Sequence, residues 1–353
     1  MTYTVAEQNL IVLSAIAEMN YNEKYASLSA LMSYTPDFTA CENLLIKRSG
    51  IGVYNKVREK FNDPAFRKKI FDGLEKRGVE CVTYASDDYP ELLKHIPTPP
   101  IVLYLKGKRE LLRRRSLSIV GSRRTTPNSL AQCKRFANEL SEHFLIVSGS
   151  AHGADSAALE GAQGLAVSVI AFGFDHLNPQ SSPQLQAVAQ NGLFISEYYP
   201  TVAPQSFLFR YRNRIIAGLS AGTLVVSAGD KSGALITANF AADFGREVFA
   251  FPYNIGVSSG EGCNNLIKQG ANLCQNPLDI LSAFGLDLKP SFVVTLSDDE
   301  KEAYAIIKES GEIFLPTISQ NLGVPSYKLI PILSSLEIKG LICRLGGNRY
   351  SVI

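Results

Sequence analysis

Residues 117–155 read LSIVGSRRTTPNSLAQCKRFANELSEHFLIVSGSAHGAD. The short run Leu117-Ser118-Ile119-Val120, with three apolar residues in four, is too short for a helix and runs into a Gly-Ser turn, so it reads as a buried strand. Asn128 to His143 reads as a helix and Phe144 to Val147 as a second apolar strand. The small residues Ser148-Gly149-Ser150-Ala151 then lead into another helix, Ala154 to Gln163.

The alternation continues outward from this stretch. Val167–Phe172, Leu193–Ile195, Thr223–Val226 and Val248–Phe251 read as strands; Pro183–Gln190, Ser232–Phe244 and Asn264–Gln269 read as helices, with a further helix starting over 213–218. Continuous apolar strands separated by single helices imply parallel pairing with right-handed crossovers. The expected fold class is α/β: a Rossmann-like, doubly wound, mainly parallel sheet over 79–288. Its lead-in, 79–105, reads as a strand and a loop.

Two smaller domains are expected to flank it. Residues 1–75 show helical periodicity, including Leu10–Leu13, Leu28–Leu31 and Phe66–Leu74. There LLIKRSGIGVYNKVREKF, 44–61, places Ser49-Gly50-Ile51-Gly52 between two short helices, as in a SAM- or helix-hairpin-helix-like domain. Such a turn can offer N–H groups to a phosphate or serve as a plain structural corner. Residues 297–353 read as three helices, 298–310, 313–321 and 326–339, then two strands joined by Gly346-Gly347-Asn348. That is the order of a winged helix, with Lys328, Lys339, Arg344 and Arg349 as its basic residues.

Composition narrows the function classes. The 353 residues carry 35 Lys and Arg against 33 Asp and Glu, a net charge of +2, which excludes a basic tail protein and an acidic disordered one. Any basic surface must therefore be local. The six cysteines are scattered with no CxxC pair, which points to reduced thiols in a cytoplasmic protein, not to a disulfide framework or a zinc site. The N-terminal stretch mixes acidic residues with its apolar ones and reads as an amphipathic helix, not a signal peptide. No run of 18 apolar residues is present, so no membrane span is expected.

Ligands of open α/β sheets sit outside the carboxyl ends of the strands, so the loops after the strands are the candidates. Gly121, Ser122 and Arg123 follow the first strand; Ser148 and Gly149 follow the second. Ser232 and Gly233 open one helix, and Asn264 and Lys268 lie on another. Small residues let backbone N–H groups face an anion at a helix start, and arginine adds a fork suited to phosphate. Asp155 can cap its helix or hold a neighbouring arginine.

The stretch Phe207-Leu208-Phe209-Arg210-Tyr211-Arg212-Asn213-Arg214 interleaves aromatics with arginines just ahead of the apolar helix. Phe207 and Phe209 stacking bases beside Arg212, Asn213 and Arg214 would form a single-strand groove. The same residues can instead serve the core and a structural ion pair. No nucleophile with its base, paired carboxylates or metal cage stands out, and GxxxxGKS/T is absent, so neither an enzyme nor a cofactor is expected.

These motifs in this order resemble the DprA/Smf family, the bacterial DNA-processing protein A. The resemblance runs from Asp88-Tyr89-Pro90 through Gly121-Ser122-Arg123, Ser148-Gly149 with Gly153 and Asp155, and RNRIIAGLS at 212–220. It continues through SGALITA at 232–238, GREVFA at 245–250 and Gly262-Cys263-Asn264-Asn265-Leu266-Ile267. It implies a protein that binds single-stranded DNA, protects incoming strands and loads the RecA recombinase onto them in natural transformation. It further implies a homodimer that displaces single-strand-binding protein. The sequence departs from the family pattern at His152 (usually Arg), Leu159 (His), Arg210 (Pro), Ser227 (Glu) and Tyr253 (Gly).

Two other readings stay open. A LOG-like nucleotide sensor or phosphoribohydrolase shares this type of domain, but Phe251-Pro252-Tyr253-Asn254 lacks the PGGxGTxxE signature and its glutamate. A winged helix reading duplex DNA is the other.

Overall fold

The computed structural model describes residues 3–17, 42–286 and 296–352. The helical periodicity expected at 28–31 lies outside them, as does the stretch 18–28 of the expected N-terminal helix. The chain divides into two compact units, Met1–Gly285 and Leu286–Ile353.

Among the described residues of the first unit, nine strands form one sheet. They are β1 (Glu80–Thr83), β2 (Val102–Gly107), β3 (Ser116–Gly121), β4 (Leu145–Ser148), β5 (Ala166–Ile170), β6 (Leu193–Ser196), β7 (Gly222–Ser227), β8 (Glu247–Ala250) and β9 (Asn272–Leu273). Their order is β1-β2-β6-β5-β4-β3-β7-β8-β9, with β3 to β9 parallel. β3 is thus flanked by β4 on one side and β7 on the other. The connections leave it in opposite directions, and the loops above it part.

The sheet is mixed at one edge. The 79–105 segment contributes two strands where the sequence pattern shows one, and both run antiparallel, β1 on β2 and β2 on β6.

The central strands β3 to β7 are buried along almost their whole lengths because helices cover both faces. The helix Pro127–Leu140 shows how the sequence achieves this. Thr126 accepts from the Ser129 N–H at 3.1 Å, and Pro127 occupies the first turn. Cys133, Phe136, Ala137 and Leu140 then recur on one buried face. Phe136 meets Phe251 edge to face, with ring centroids 4.8 Å apart.

The N-terminal helix Val5–Ala15 differs from expectation. Asn9 through Ser14 are all buried, so the second half of this helix is enclosed on every side and has no polar face toward water, while Val5 at its start is exposed. It packs on β1 and β2, and the Ser14 hydroxyl hydrogen-bonds Tyr104, which is itself fully buried on β2. Farther along, the helices Glu42–Ser49 and Ile51–Asn62 meet at Gly50.

The second unit holds helices Asp298–Ser310, Leu315–Leu322 and Ser326–Ile338, with strands β10 (Glu312–Phe314), β11 (Ile342–Leu345) and β12 (Arg349–Val352) in the antiparallel order β10-β12-β11. The sequence pattern has Ile313 opening a helix; it lies instead in β10, paired with Tyr350. Three residues before Pro316 are too short to carry a strand signature of their own. Glu300 caps its own helix at Ser297 and accepts from Lys339 Nζ at 2.6 and 2.7 Å and from the Ser335 hydroxyl at 2.6 Å.

Phe136→Ala removes a large buried ring and should cost about 3–5 kcal/mol, read as a lower urea midpoint with an unchanged slope. The bonds from Lys339 and Ser335 hold the Glu300 carboxyl down at about 2, against its ordinary 4.5. Its contribution is therefore full above about pH 4.5 and lost as pH falls toward 2. The fall in the urea midpoint across that window should be shallower in Lys339→Met than in the natural chain.

Candidate functional site

The helix Ser206–Leu219 connects β6 to β7 and passes beneath the point where the loops part, packing on β3, β4 and β5. It begins seven residues earlier than the apolar pattern implies. The aromatic and arginine-rich stretch therefore lies on the helix and not ahead of it. Its apolar periodicity is interrupted because arginines are buried among the apolar residues: beside Leu208 and Ile215, Arg212 and Arg214 are 5% and 3% exposed.

Helical spacing sorts the stretch. Phe209, Arg212, Asn213 and Ile216, at i, i+3, i+4 and i+7, face a cavity of about 250 Å³. Gly121, Ser122 and Arg123 from the loop after β3, Asp155 below the β4 loop, and Ser232, Gly233 and Thr237 complete its wall. Phe207 and Tyr211 lie on the solvent side, both half exposed, their rings edge to face at 6.2 Å.

Arg212 is the centre of the arrangement. A Cβ on Gly149 would lie 2.1 Å from Arg212 Nη1 and 2.3 Å from Asp155 Oδ2, so only glycine leaves room for the two charges to meet over the β4 loop. Asp155 Oδ2 also accepts from the Ala151 N–H at 3.4 Å. Burial pushes the Asp155 carboxyl above its usual range, with Arg212 foremost among the groups that oppose the rise. Asp155 thus faces Arg212 across the space that Gly149 leaves, without a hydrogen bond between them. Among the described residues, Arg212 Nε and Nη1 carry no hydrogen bond. A buried cation with two uncommitted nitrogens, in the wall of a cavity, is built to receive an anion.

The rest of the wall suits the same ligand. Arg123 and Arg210 are exposed at its rim, giving three arginines to one aspartate. Ser232 caps the helix Gly233–Asp243 by accepting from the Ala234 N–H, and that helix N-terminus opens onto the cavity. The Ser122 hydroxyl lies 3.3 Å from that of Ser232, which ties the loops after β3 and β7 together. Gly121 sits where a Cβ would lie 2.6 Å from Ala154 Cβ.

Not every residue expected here joins the cavity. The Ser148 hydroxyl donates to the Ile119 carbonyl at 2.7 Å inside the sheet. Arg214 pairs with Glu197 at 2.6 Å, both almost fully buried. Asn264 clamps the backbone of Tyr253, accepting from its N–H and donating to its carbonyl, each at 3.0 Å. Lys268 ends the helix Glu261–Lys268, about two turns from the edge where that helix begins. The sequence motifs do not single out the cavity residues Arg210, Ile236 and Thr237 or the exposed Tyr211 as ligands. Reading 206–219 as one helix is the signal that finds Arg210 and Tyr211.

In the second unit, Lys339 is engaged by Glu300, Arg349 by Glu312 and Arg344 by Asn348. Lys328 is exposed on the helix Ser326–Ile338. Among the described residues, no group of three or more His, Cys, Asp or Glu could hold a metal, and no helix is long and apolar enough to cross a membrane.

Gly149→Ala should leave the sheet intact, because its cost falls on the arginine: the new methyl displaces Arg212 from Asp155. The expected outcome is a small change in the thermal midpoint with a loss of anion binding, measured as displacement of a labelled polyanion from the cleft.

Comparison with known proteins follows the same part of the chain. The sequence model of the family DNA recombination-mediator protein A matches residues 80–285. The DNA processing protein DprA of Bacillus subtilis is 39% identical over 222 residues, which cover 60% of this chain and 73% of that protein. Protein Smf of Escherichia coli is 32% identical over 291 residues, 78% of each chain. Among solved structures, DNA processing protein A from Streptococcus pneumoniae superposes with a TM-score of 0.68 at 28% identity, covering 80% of this chain and 98% of that one. That of Helicobacter pylori, solved for its single-stranded DNA binding mode, gives 0.53 at 27% identity, covering 58% and 95%. The segment that builds both the sheet and the cleft is the one the family shares, and this protein belongs to it: the DprA/Smf family, DNA recombination-mediator protein A.

Proposed function

We propose that this protein binds single-stranded DNA in the cleft above β3 and β7 and serves as a recombination mediator in natural transformation. It protects incoming strands, displaces single-strand-binding protein and loads RecA, acting in the cytoplasm as a homodimer and without catalysis. Residues 79–288 form its DNA-binding domain, 1–75 a helical domain and 297–353 a winged helix.

The observation that carries this reading is Arg212, a buried cation with uncommitted nitrogens beside the exposed Arg123 and Arg210. Single-strand sites combine a positive groove with aromatic faces, and Phe209, Phe207 and Tyr211 stand along it. The single-strand binding of the Helicobacter pylori relative supports the same assignment. Exposed Leu273 and Leu278, at and beside the edge strand β9, offer apolar surface for a second copy.

The competing readings fare less well. A nucleotide hydrolase needs a carboxylate placed for glycosidic chemistry, and Asp155, which supplies the carboxylate of the cavity wall among the described residues, is buried and accepts from the Ala151 N–H. A duplex reader would need several free basic side chains on the second unit, and of the four expected there Lys339 and Arg349 are neutralised by Glu300 and Glu312, leaving Lys328 and Arg344.

The test is anisotropy of a labelled oligo-dT against an equal-length duplex across a salt series. The single strand should bind more tightly, with log affinity falling linearly with log salt. Arg212→Ala and Arg123→Ala should each lower the slope by about 0.7 for every phosphate left without its arginine. Absence of single-strand binding at low salt would reject the reading.

A further inference from the structure

A separate cavity of about 410 Å³ shares no lining residue with the arginine cleft. Its walls come from the helix Pro127–Leu140, from the chain that leaves β8 and from the two residues after β9. Phe136 and Phe251, both almost wholly buried, make its apolar floor. Among the described residues no charged side chain lines it; its polar side chains are three hydroxyls and four carboxamides.

The hydroxyls are committed to the wall itself. Tyr253 donates to the Val226 carbonyl at 2.6 Å, so it accepts from the Ser129 hydroxyl 2.8 Å away. With the Ser129 proton used, Thr126 must donate to Ser129, at 2.7 Å. This chain of bonds fixes the Tyr253 ring between β7 and the helix Pro127–Leu140. The ring lies over Gly260, where any side chain would occupy its place. Residue 253 is one of the departures from the family pattern, so the wall it makes stands where the usual glycine would leave a gap.

The carboxamides are left for a ligand. Asn128, Asn254 and Gln275 are exposed at the mouth, and Gln132 uses its oxygen to accept from Arg135 Nε at 3.0 Å, which leaves its amide protons. Each carboxamide sets a donor beside an acceptor, the arrangement that matches the edge of a nucleobase. The volume lies in the range of small-molecule sites, and with no cation in the wall a phosphate finds no counter-charge.

We infer that this cavity is a binding site for an uncharged free nucleoside. The base lies over Phe136 and Phe251 and meets the carboxamides of Asn254 and Gln275 with its polar edge. A strand is not the source of that base, because it brings a phosphate on either side and the wall has no cation for them. The site is therefore independent of the single-strand cleft.

The test is calorimetric titration of the full chain with adenosine, thymidine and AMP, each alone and after saturation with (dT)20. Adenosine or thymidine should bind, AMP should bind no more tightly than adenosine, and (dT)20 should leave nucleoside binding unchanged. Asn254→Ala and Gln275→Ala replace exposed side chains and should each weaken binding about threefold to tenfold. Tyr253→Gly, which places the usual family residue there, should abolish it. Failure of both nucleosides to bind, tighter binding of AMP than of adenosine, displacement of the nucleoside by (dT)20, or unchanged affinity in both Asn254→Ala and Gln275→Ala would each overturn the inference.

Discussion

A guanidinium taken almost wholly out of water is the constraint on which the cleft depends. Desolvating Arg212 is costly, and a buried cation persists only where a carboxylate or another anion answers it. Asp155 gives part of that answer from the start of the helix Ala154–Gly161, and it can lie near Arg212 because residue 149 has no side chain. Glycine at 149, aspartate at 155 and arginine at 212 are three parts of one interaction, drawn from a loop, a helix start and a helix interior. With Nε and Nη1 uncommitted, the balance is left to be completed by a ligand.

The topology places this charge. β3 has β4 and β7 as neighbours, so the chain must return from β6, on one side of the sheet, to β7, on the other. The helix Ser206–Leu219 makes that return and cannot avoid lying across the opening between the loops. Its later half buries Ile215, Ile216 and Leu219 against the sheet, while its earlier half presents Arg212 to the cleft and Arg214 to Glu197. A helix that serves as crossover and as ligand wall carries charged residues on its inner face, and that is why an apolar periodicity search reads only its second half.

Much of the fold was legible because burial on both faces leaves a plain mark. Six strands, β3 to β8, stand as short apolar runs between helices, and the parallel sheet follows from their alternation. The antiparallel edge and β10 were not legible, since β1 and β2 border a proline-rich loop and β10 is three residues long. The N-terminal helix was legible as a helix but not as a buried one. What encloses it, β1 and β2 with Tyr104, lies far along the chain.

For the site, the residue types and loop positions could be read directly: glycine and serine at the strand ends, and arginines among aromatics at 207–214. Chemistry of that kind is local, because a small-residue turn into a helix start favours anions whatever surrounds it. The division of labour among those residues could not be read. Arg212 and Arg214 stand two apart in one helix, which turns their side chains about 200° from each other. One therefore enters the cleft and the other an internal ion pair. Ser148 and Asn264 serve the scaffold for the same reason: their partners, Ile119 and Tyr253, are brought to them only by strand pairing and loop packing. Residue types along the chain were enough to set the class of ligand, and which charges meet it was settled only by folding. A side chain's type sets what it can bind, while its freedom to bind is set by what else is buried within reach.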